Sequence, residues 1–162
     1  MDLDKATLAA GCFWGVQYYF DQIPGVIRSR VGYIGGKTEN PTYEQVCTHT
    51  TGHAEAVELE YATDLINFDT ILKHFFRLHD PTQLDRQGPD VGDQYRSAIF
   101  YHSEEQKIIA EITLKAQALN YKNPIVTKIE PATTFYPAED YHQKYTERTG
   151  LGMCHVPYEP LR

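Results

Sequence analysis

The sequence predicts an α/β (α+β) two-layer sandwich, one mixed sheet covered by helices, on three observations. Segments of period two alternate with segments of helical period in the order strand, helix, strand, strand, helix, strand, helix, strand, helix. Two stretches, 34–52 and 80–93, have no periodicity and are longer than ordinary connections, which marks functional loops. A chain of 162 residues, 41% hydrophobic and 23% charged, can bury a core without staples, so neither disorder nor a fibre fits it.

Each element has its own signal. Residues 6–10 read as a short buried strand ending at Gly11, and 13–21 as a helix stopped by Pro24-Gly25. Residues 26–33 alternate imperfectly and predict a second strand. In 54–61 the alternation is cleaner, and it places Glu55 on the face of Val57 and Leu59. Phe68, Ile71, Leu72, Phe75 and Phe76 recur at helical spacing up to Asp80-Pro81. Residues 95–101 predict a strand. Ser103-Glu104-Glu105-Gln106 has the form of a capping box opening a helix that runs to about Asn120. Residues 125–129 predict a strand and 139–148 a last helix, released by Gly150 and Gly152 into a flexible tail from about 149. No repeat divides the chain, so 1–162 is expected to be one domain.

Charge and cysteine usage narrow the function. Fifteen Lys and Arg against 22 Asp and Glu give a net charge of −7, without the basic footprint of nucleic-acid binding. No segment is long and apolar enough to span a membrane, and the start of the chain lacks the pattern of a signal peptide, so a cytoplasmic protein is expected. Three cysteines, at 12, 47 and 154, are too few and too odd in number for a disulfide framework. They leave room for redox or catalytic thiols.

Gly11-Cys12-Phe13-Trp14-Gly15 is the most informative stretch. Cys12 falls where a strand gives way to a helix, and free amides at a helix start stabilise a thiolate. Position alone leaves two readings open, a buried core thiol or a nucleophile flanked by two apolar rings. Glu55 is also open: a carboxyl on an apolar strand face is either paired with a cation such as Arg96 or kept protonated by burial. His53 shares the parity of Glu55 and reads as a supporting residue.

The first of these motifs resembles the active-site motif of the peptide methionine sulfoxide reductase A family. The resemblance extends through Asn40-Pro41-Thr42-Tyr43-Glu44-Gln45-Val46-Cys47 and Thr51-Gly52-His53-Ala54-Glu55-Ala56-Val57. It continues in Asp80-Pro81-Thr82, in 86–92, in Gln94-Tyr95-Arg96-Ser97 and in Ala138-Glu139-Asp140-Tyr141-His142-Gln143-Lys144-Tyr145. It spans nearly the whole chain, in order. It implies a fold related to the ferredoxin-like arrangement and reduction of the S epimer of methionine sulfoxide, free or in proteins. It also implies Cys12 as nucleophile, Glu55 as acid, Tyr43 and Tyr95 as donors to the sulfoxide oxygen, Phe13 and Trp14 as receivers of the substrate methyl group, and Asp90 as a positioning residue. Cys154, in the Gly-rich tail, would resolve the sulfenic acid left on Cys12. Thioredoxin or another dithiol would then reduce the disulfide, with no cofactor, no metal and a monomeric enzyme expected. The chain departs from the family's pattern at Gly152-Met153-Cys154, at Cys47-Thr48-His49-Thr50 and at Gln17. Three other readings compete: a zinc site on Cys47, His49 and His53 with Cys154 or His155, a cysteine hydrolase using Cys12 and a histidine, and a binding module without turnover.

Overall fold

The computed structural model describes residues 2–153 and 156–161. In chain order the elements are β1 (Leu3–Ala10), α1 (Phe13–Asp21), β2 (Val26–Ile34), α2 (Tyr43–Cys47), β3 (Ala54–Ala62), α3 (Phe68–Leu78), β4 (Arg86–Gln87), β5 (Asp90–Val91), β6 (Ser97–Tyr101), α4 (Glu104–Ala118), β7 (Lys128–Pro131), β8 (Tyr136–Pro137) and α5 (Tyr145–Thr149). Six strands form one sheet in the order β7-β6-β1-β3-β2-β8. Only β6 and β7 run parallel, joined through α4, so the sheet is mixed as expected.

The helices supply the second layer. Val16, Tyr19 and Phe20 of α1, with Ile71, Leu72, Phe75 and Phe76 of α3, pack on Leu8, Val31, Val57, Leu59 and Ile99 of the sheet. The strand alternation delivers this, because residues 57 and 59 face the helices while Ala54 and Ala56 join a smaller cluster on the other side. Glu55 therefore points into the helix-covered layer, as its parity predicts.

The structure departs from the sequence expectations where a distant partner decides. The stretch 34–52 holds the five-residue α2, capped by a full box in which Thr42 Oγ1 accepts from the Gln45 amide (3.2 Å) and Gln45 Oε1 accepts from the Thr42 amide (2.9 Å). The box expected at Ser103 is only half made. Ser103 Oγ accepts from the Gln106 amide, but Gln106 Oε1 takes the His102 amide instead and its Nε2 donates to the Lys5 carbonyl. The strand expected at 125–129 is displaced to β7. The strand expected from Tyr95 begins at Ser97, because 93–95 form a 3-10 turn.

The helix expected over 139–148 is broken. Asp140–His142 is a 3-10 turn, Gln143 is extended and Lys144 is left-handed, at φ +57°. Gln143 explains the break. Its amide side chain accepts from the Val31 amide (3.0 Å) and donates to the Val31 carbonyl (2.9 Å), satisfying the edge of β2 as a strand would.

Candidate active site

Cys12 is the N-cap residue of α1, between the end of β1 and the first helical turn. Gly11 makes the turn possible twice over: its φ is +95°, and a Cβ there would stand 2.8 Å from Gln87 Cβ. Gln87 is locked by a pair of hydrogen bonds to the Asp80 backbone, so the 80–91 segment is held against the cysteine.

Glu55 is 1% exposed. Its Oε1 accepts a hydrogen bond of 3.3 Å from the Phe13 amide, at the start of α1, and its Oε2 is buried with no hydrogen-bond partner among the described residues. Burial pushes Glu55 up, the Phe13 amide pulls it back, and Asp90 adds a further push, so its pKa rises from 4.5 to about 8. Arg96 does not pair with it; the guanidinium donates to the Asp93 and Gly52 carbonyls. A carboxyl in this state is protonated at neutral pH and holds a proton with no acceptor inside the described protein.

Around the carboxyl stand the two tyrosines expected there. The Tyr43 and Tyr95 hydroxyls are held above their ordinary range by burial first, then for Tyr43 by a hydrogen bond with Cys47, and for both by the charge of Glu55. Both therefore stay protonated and can donate. Cys12 and Asp90 also act on Tyr95, which places Cys12, Glu55, Asp90 and Tyr95 in one cluster. Phe13 is buried. Trp14 is half-buried and donates from Nε1 to His142 Nδ1 at 2.8 Å. A cleft of about 760 Å³ is lined by Cys12, Trp14, Asp90, His79, Gln87 and Met153, among others. Glu55, Tyr43 and Tyr95 are not in its lining, so cleft and acid cluster meet at Cys12 and Asp90.

Three further residues belong here, Glu139, His142 and Cys47. Glu139 accepts from the Tyr33 hydroxyl and from the Tyr43 amide, each at 2.9 Å. Burial pushes Glu139 up, but those donors, its own backbone amide and nearby His142 pull it below its ordinary value. His142 packs tilted between Tyr43 (centroids 4.5 Å) and Phe13 (5.2 Å). Burial pushes its imidazole down, the form that accepts from Trp14. Cys47 faces Tyr43, with its thiol raised chiefly by burial, so it is a neighbour of the cluster. The polar and aromatic density of 138–145 was the available signal for Glu139 and His142. Cys154 lies outside the described residues, as does His155.

The competing readings find no support in this geometry. His53 accepts from the Gly36 amide at Nδ1 and meets the Thr38 carbonyl at Nε2, so both ring nitrogens are engaged by the backbone rather than turned to a metal. His49 Nδ1 lies 2.6 Å from Gln94 Oε1. A hydrolase needs a histidine serving Cys12. His79 instead spends its nitrogens on the Phe75 carbonyl and the Ser97 hydroxyl, and His142 Nδ1 is held by Trp14.

The sequence model of the peptide methionine sulfoxide reductase family matches residues 4–162. The chain belongs to that family. It is 54% identical over 154 residues to the peptide methionine sulfoxide reductase MsrA of Acidobacterium capsulatum, covering 94% of this chain and 99% of that one. Its fold is similar to Mxr1 of Saccharomyces cerevisiae in reduced form, with a TM-score of 0.91 at 34% identity over 97% of this chain and 93% of the other. Mxr1 in complex with Trx2 is also similar, with a TM-score of 0.67 at 25% identity over 97% and 91% of the two chains. The chain is thus a thiol-dependent reductase of methionine sulfoxide, an activity that reverses a common oxidative lesion. No helix among the described residues is long and apolar enough to cross a membrane.

Proposed function

We propose that Cys12 is the nucleophile of this reductase and Glu55 its general acid, acting on the S epimer of methionine sulfoxide. The observation that carries the assignment is the buried Glu55 Oε2, a carboxyl oxygen with no hydrogen-bond partner among the described residues, near the N-cap cysteine. The Cys12 sulfur attacks the sulfoxide sulfur. Glu55 delivers its proton to the sulfoxide oxygen, and Tyr43 and Tyr95 donate hydrogen bonds to it, because an unprotonated oxygen is a poor leaving group. Phe13 and Trp14 receive the methyl group, and Asp90, at the rim between cleft and cluster, orients the substrate. The sulfur–sulfur bond made in the attack then breaks as the protonated oxygen passes from the methionine sulfur to the Cys12 sulfur, which leaves a sulfenic acid on Cys12, the Glu55 carboxylate and a methionine thioether.

Cys154 then condenses with the sulfenic acid, and thioredoxin or a related dithiol reduces the disulfide. Support for the dithiol comes from the family and from the crystallised pairing of Mxr1 with Trx2. We place the activity in the cytoplasm, in one domain spanning 1–162, acting as a monomer on free and protein-bound substrate without a metal. The test is consumption of each epimer with dithiothreitol, together with mass spectrometry of the thiols after one turnover without reductant. The S-sulfoxide should disappear and the R-sulfoxide remain. Cys12→Ser should release no methionine, while Cys154→Ser should release about one equivalent and carry one oxygen on Cys12, trappable by dimedone. Equal rates on both epimers, or turnover in Cys12→Ser, would refute the assignment.

A further inference from the structure

The C-terminal segment returns to the helical layer at a built contact. Tyr158 packs edge-on against Tyr19 of α1, with ring centroids 5.5 Å apart, and lies tilted against His74 of α3 at 5.6 Å. These partners are themselves organised. Arg77 donates to the Tyr19 hydroxyl at 2.7 Å, and that hydroxyl lies 2.8 Å from His74 Nδ1. Burial, with Arg77 nearby, keeps His74 neutral, so the contact is a hydrogen bond between an uncharged imidazole and the Tyr19 hydroxyl. Arg77 also donates to the Glu159 carbonyl at 3.2 Å. Its ion pair with the Glu159 carboxylate, at 3.4 Å on a side chain 68% exposed, contributes little in water. The aromatic packing of Tyr158 on the core is the stronger tie.

The same segment is fixed a second time upstream. Gly152, at φ +74°, lies so close to Trp14 that a Cβ would stand 3.0 Å from the indole Cε3. Met153 and Val156 both line the cleft that contains Cys12. Gly152 is therefore held against Trp14, and Tyr158 against Tyr19 of α1 and His74 of α3.

We propose that Tyr19, His74 and Arg77 form a dock for Tyr158, and that Tyr158 is a positioning residue for the recycling step. With one end free, the stretch carrying the second thiol samples a large volume. With both ends tied it has a short closed path, and the effective concentration of its thiol at Cys12 rises. The inference rests on Cys154 being the resolving thiol. In that step the Cys154 sulfur attacks the sulfur of the Cys12 sulfenic acid. The S–S bond forms as the S–O bond breaks, and the hydroxyl leaves with the thiol proton as water. The oxidising equivalent is the oxygen already taken from the sulfoxide, so no further oxidant enters.

The experiment mixes full-length enzyme with excess methionine S-sulfoxide without reductant, quenches with acid at intervals, and quantifies released methionine and the disulfide separately. Tyr158→Ala should release methionine at the wild-type rate but form the Cys12–Cys154 disulfide about tenfold more slowly, with sulfenic acid accumulating meanwhile. Tyr158→Phe, which keeps the ring, should restore the fast step. A Gly-Ser linker inserted between Val156 and Pro157, leaving the dock intact and doubling the tied path, should slow the same step by about threefold. Unchanged disulfide formation in both altered chains would overturn the proposal. So would a Tyr158→Ala enzyme slowed equally in both steps while the linker variant is not slowed, since Tyr158 would then be merely structural. A wild-type disulfide joining Cys12 to Cys47 would overturn the role of Cys154 itself, and the dock's purpose with it.

Discussion

Glu55 and Glu139 flank the same tyrosines and are held in opposite states. Glu55, on β3, is sealed under α1 with one distant amide donor, and burial lifts it to about 8. Glu139, after β8, is also penalised by burial, yet the Tyr43 amide, its own amide and the Tyr33 hydroxyl bring it below its ordinary value. Donor supply, not burial alone, decides which carboxyl keeps a proton. A carboxylate with its lone pairs filled holds a wall in place, whereas a carboxyl with an empty-handed oxygen has a proton to give. In the proposed reaction the pair thus separates two jobs, proton donation by Glu55 and placement of Tyr43 by Glu139.

The largest effect should come from removing the proton donor. Glu55→Gln keeps the shape and should slow single-turnover methionine release by about 10²-fold or more, the usual scale of general acid catalysis. An unchanged rate would remove Glu55 from the mechanism. In the wild type the same rate should fall as pH rises through about 8, because the reactive form is the protonated one. Stability follows the same sign. Between 4.5 and about 8 the folded state holds the Glu55 proton more tightly than the unfolded chain, so the contribution present below 4.5 is lost as pH rises through that window. Glu139 has the opposite sign: its contribution is present above its ordinary value and is lost as pH falls through its depressed one.

Glu139→Gln should cost less, about tenfold in the same assay, because it weakens charge-assisted contacts to Tyr43 and Tyr33 without removing the acid. Its high-pH limb should stay where the wild type has it. A limb that moved would show that Glu139 helps set the Glu55 proton, and the division of labour would fail. The smallest effect belongs to Cys47→Ser. A serine hydroxyl can take the place of the thiol beside Tyr43, so the single-turnover rate should stay within about threefold of wild type. A larger loss would make Cys47 a second support of Tyr43.

Local signals made part of this legible in the sequence. Gly11 and the Pro24-Gly25 stop bracket α1, and the alternation over β3 turned Glu55 into the helical layer, so the positions of Cys12 and Glu55 in the fold could both be read. The Thr42–Gln45 spacing that caps α2 was also present, but five residues complete too little helix for periodicity to register. Contacts between distant residues stayed hidden. Gln143 breaks the expected 139–148 helix because its side chain prefers the backbone of Val31, 112 positions away. Glu139 gains its role from Tyr33 and Tyr43, 106 and 96 positions away, and His142 gains its role from Trp14 across 128. No window along the chain contains both halves of such a contact. The family resemblance located the block 138–145, and only the folded chain shows what Glu139 and His142 do in it.

The central claim is that Glu55 carries a proton at neutral pH. Difference infrared spectroscopy measures this directly, as the carbonyl stretch of a protonated carboxylic acid in the wild type minus the same spectrum of Glu55→Gln. The expected result is a protonated-acid band at pH 7 that disappears as pH rises through about 8, is absent from Glu55→Gln and persists in Glu139→Gln. A wild-type spectrum with no such band at pH 7, or one whose band is already lost near the ordinary value of 4.5, would contradict it.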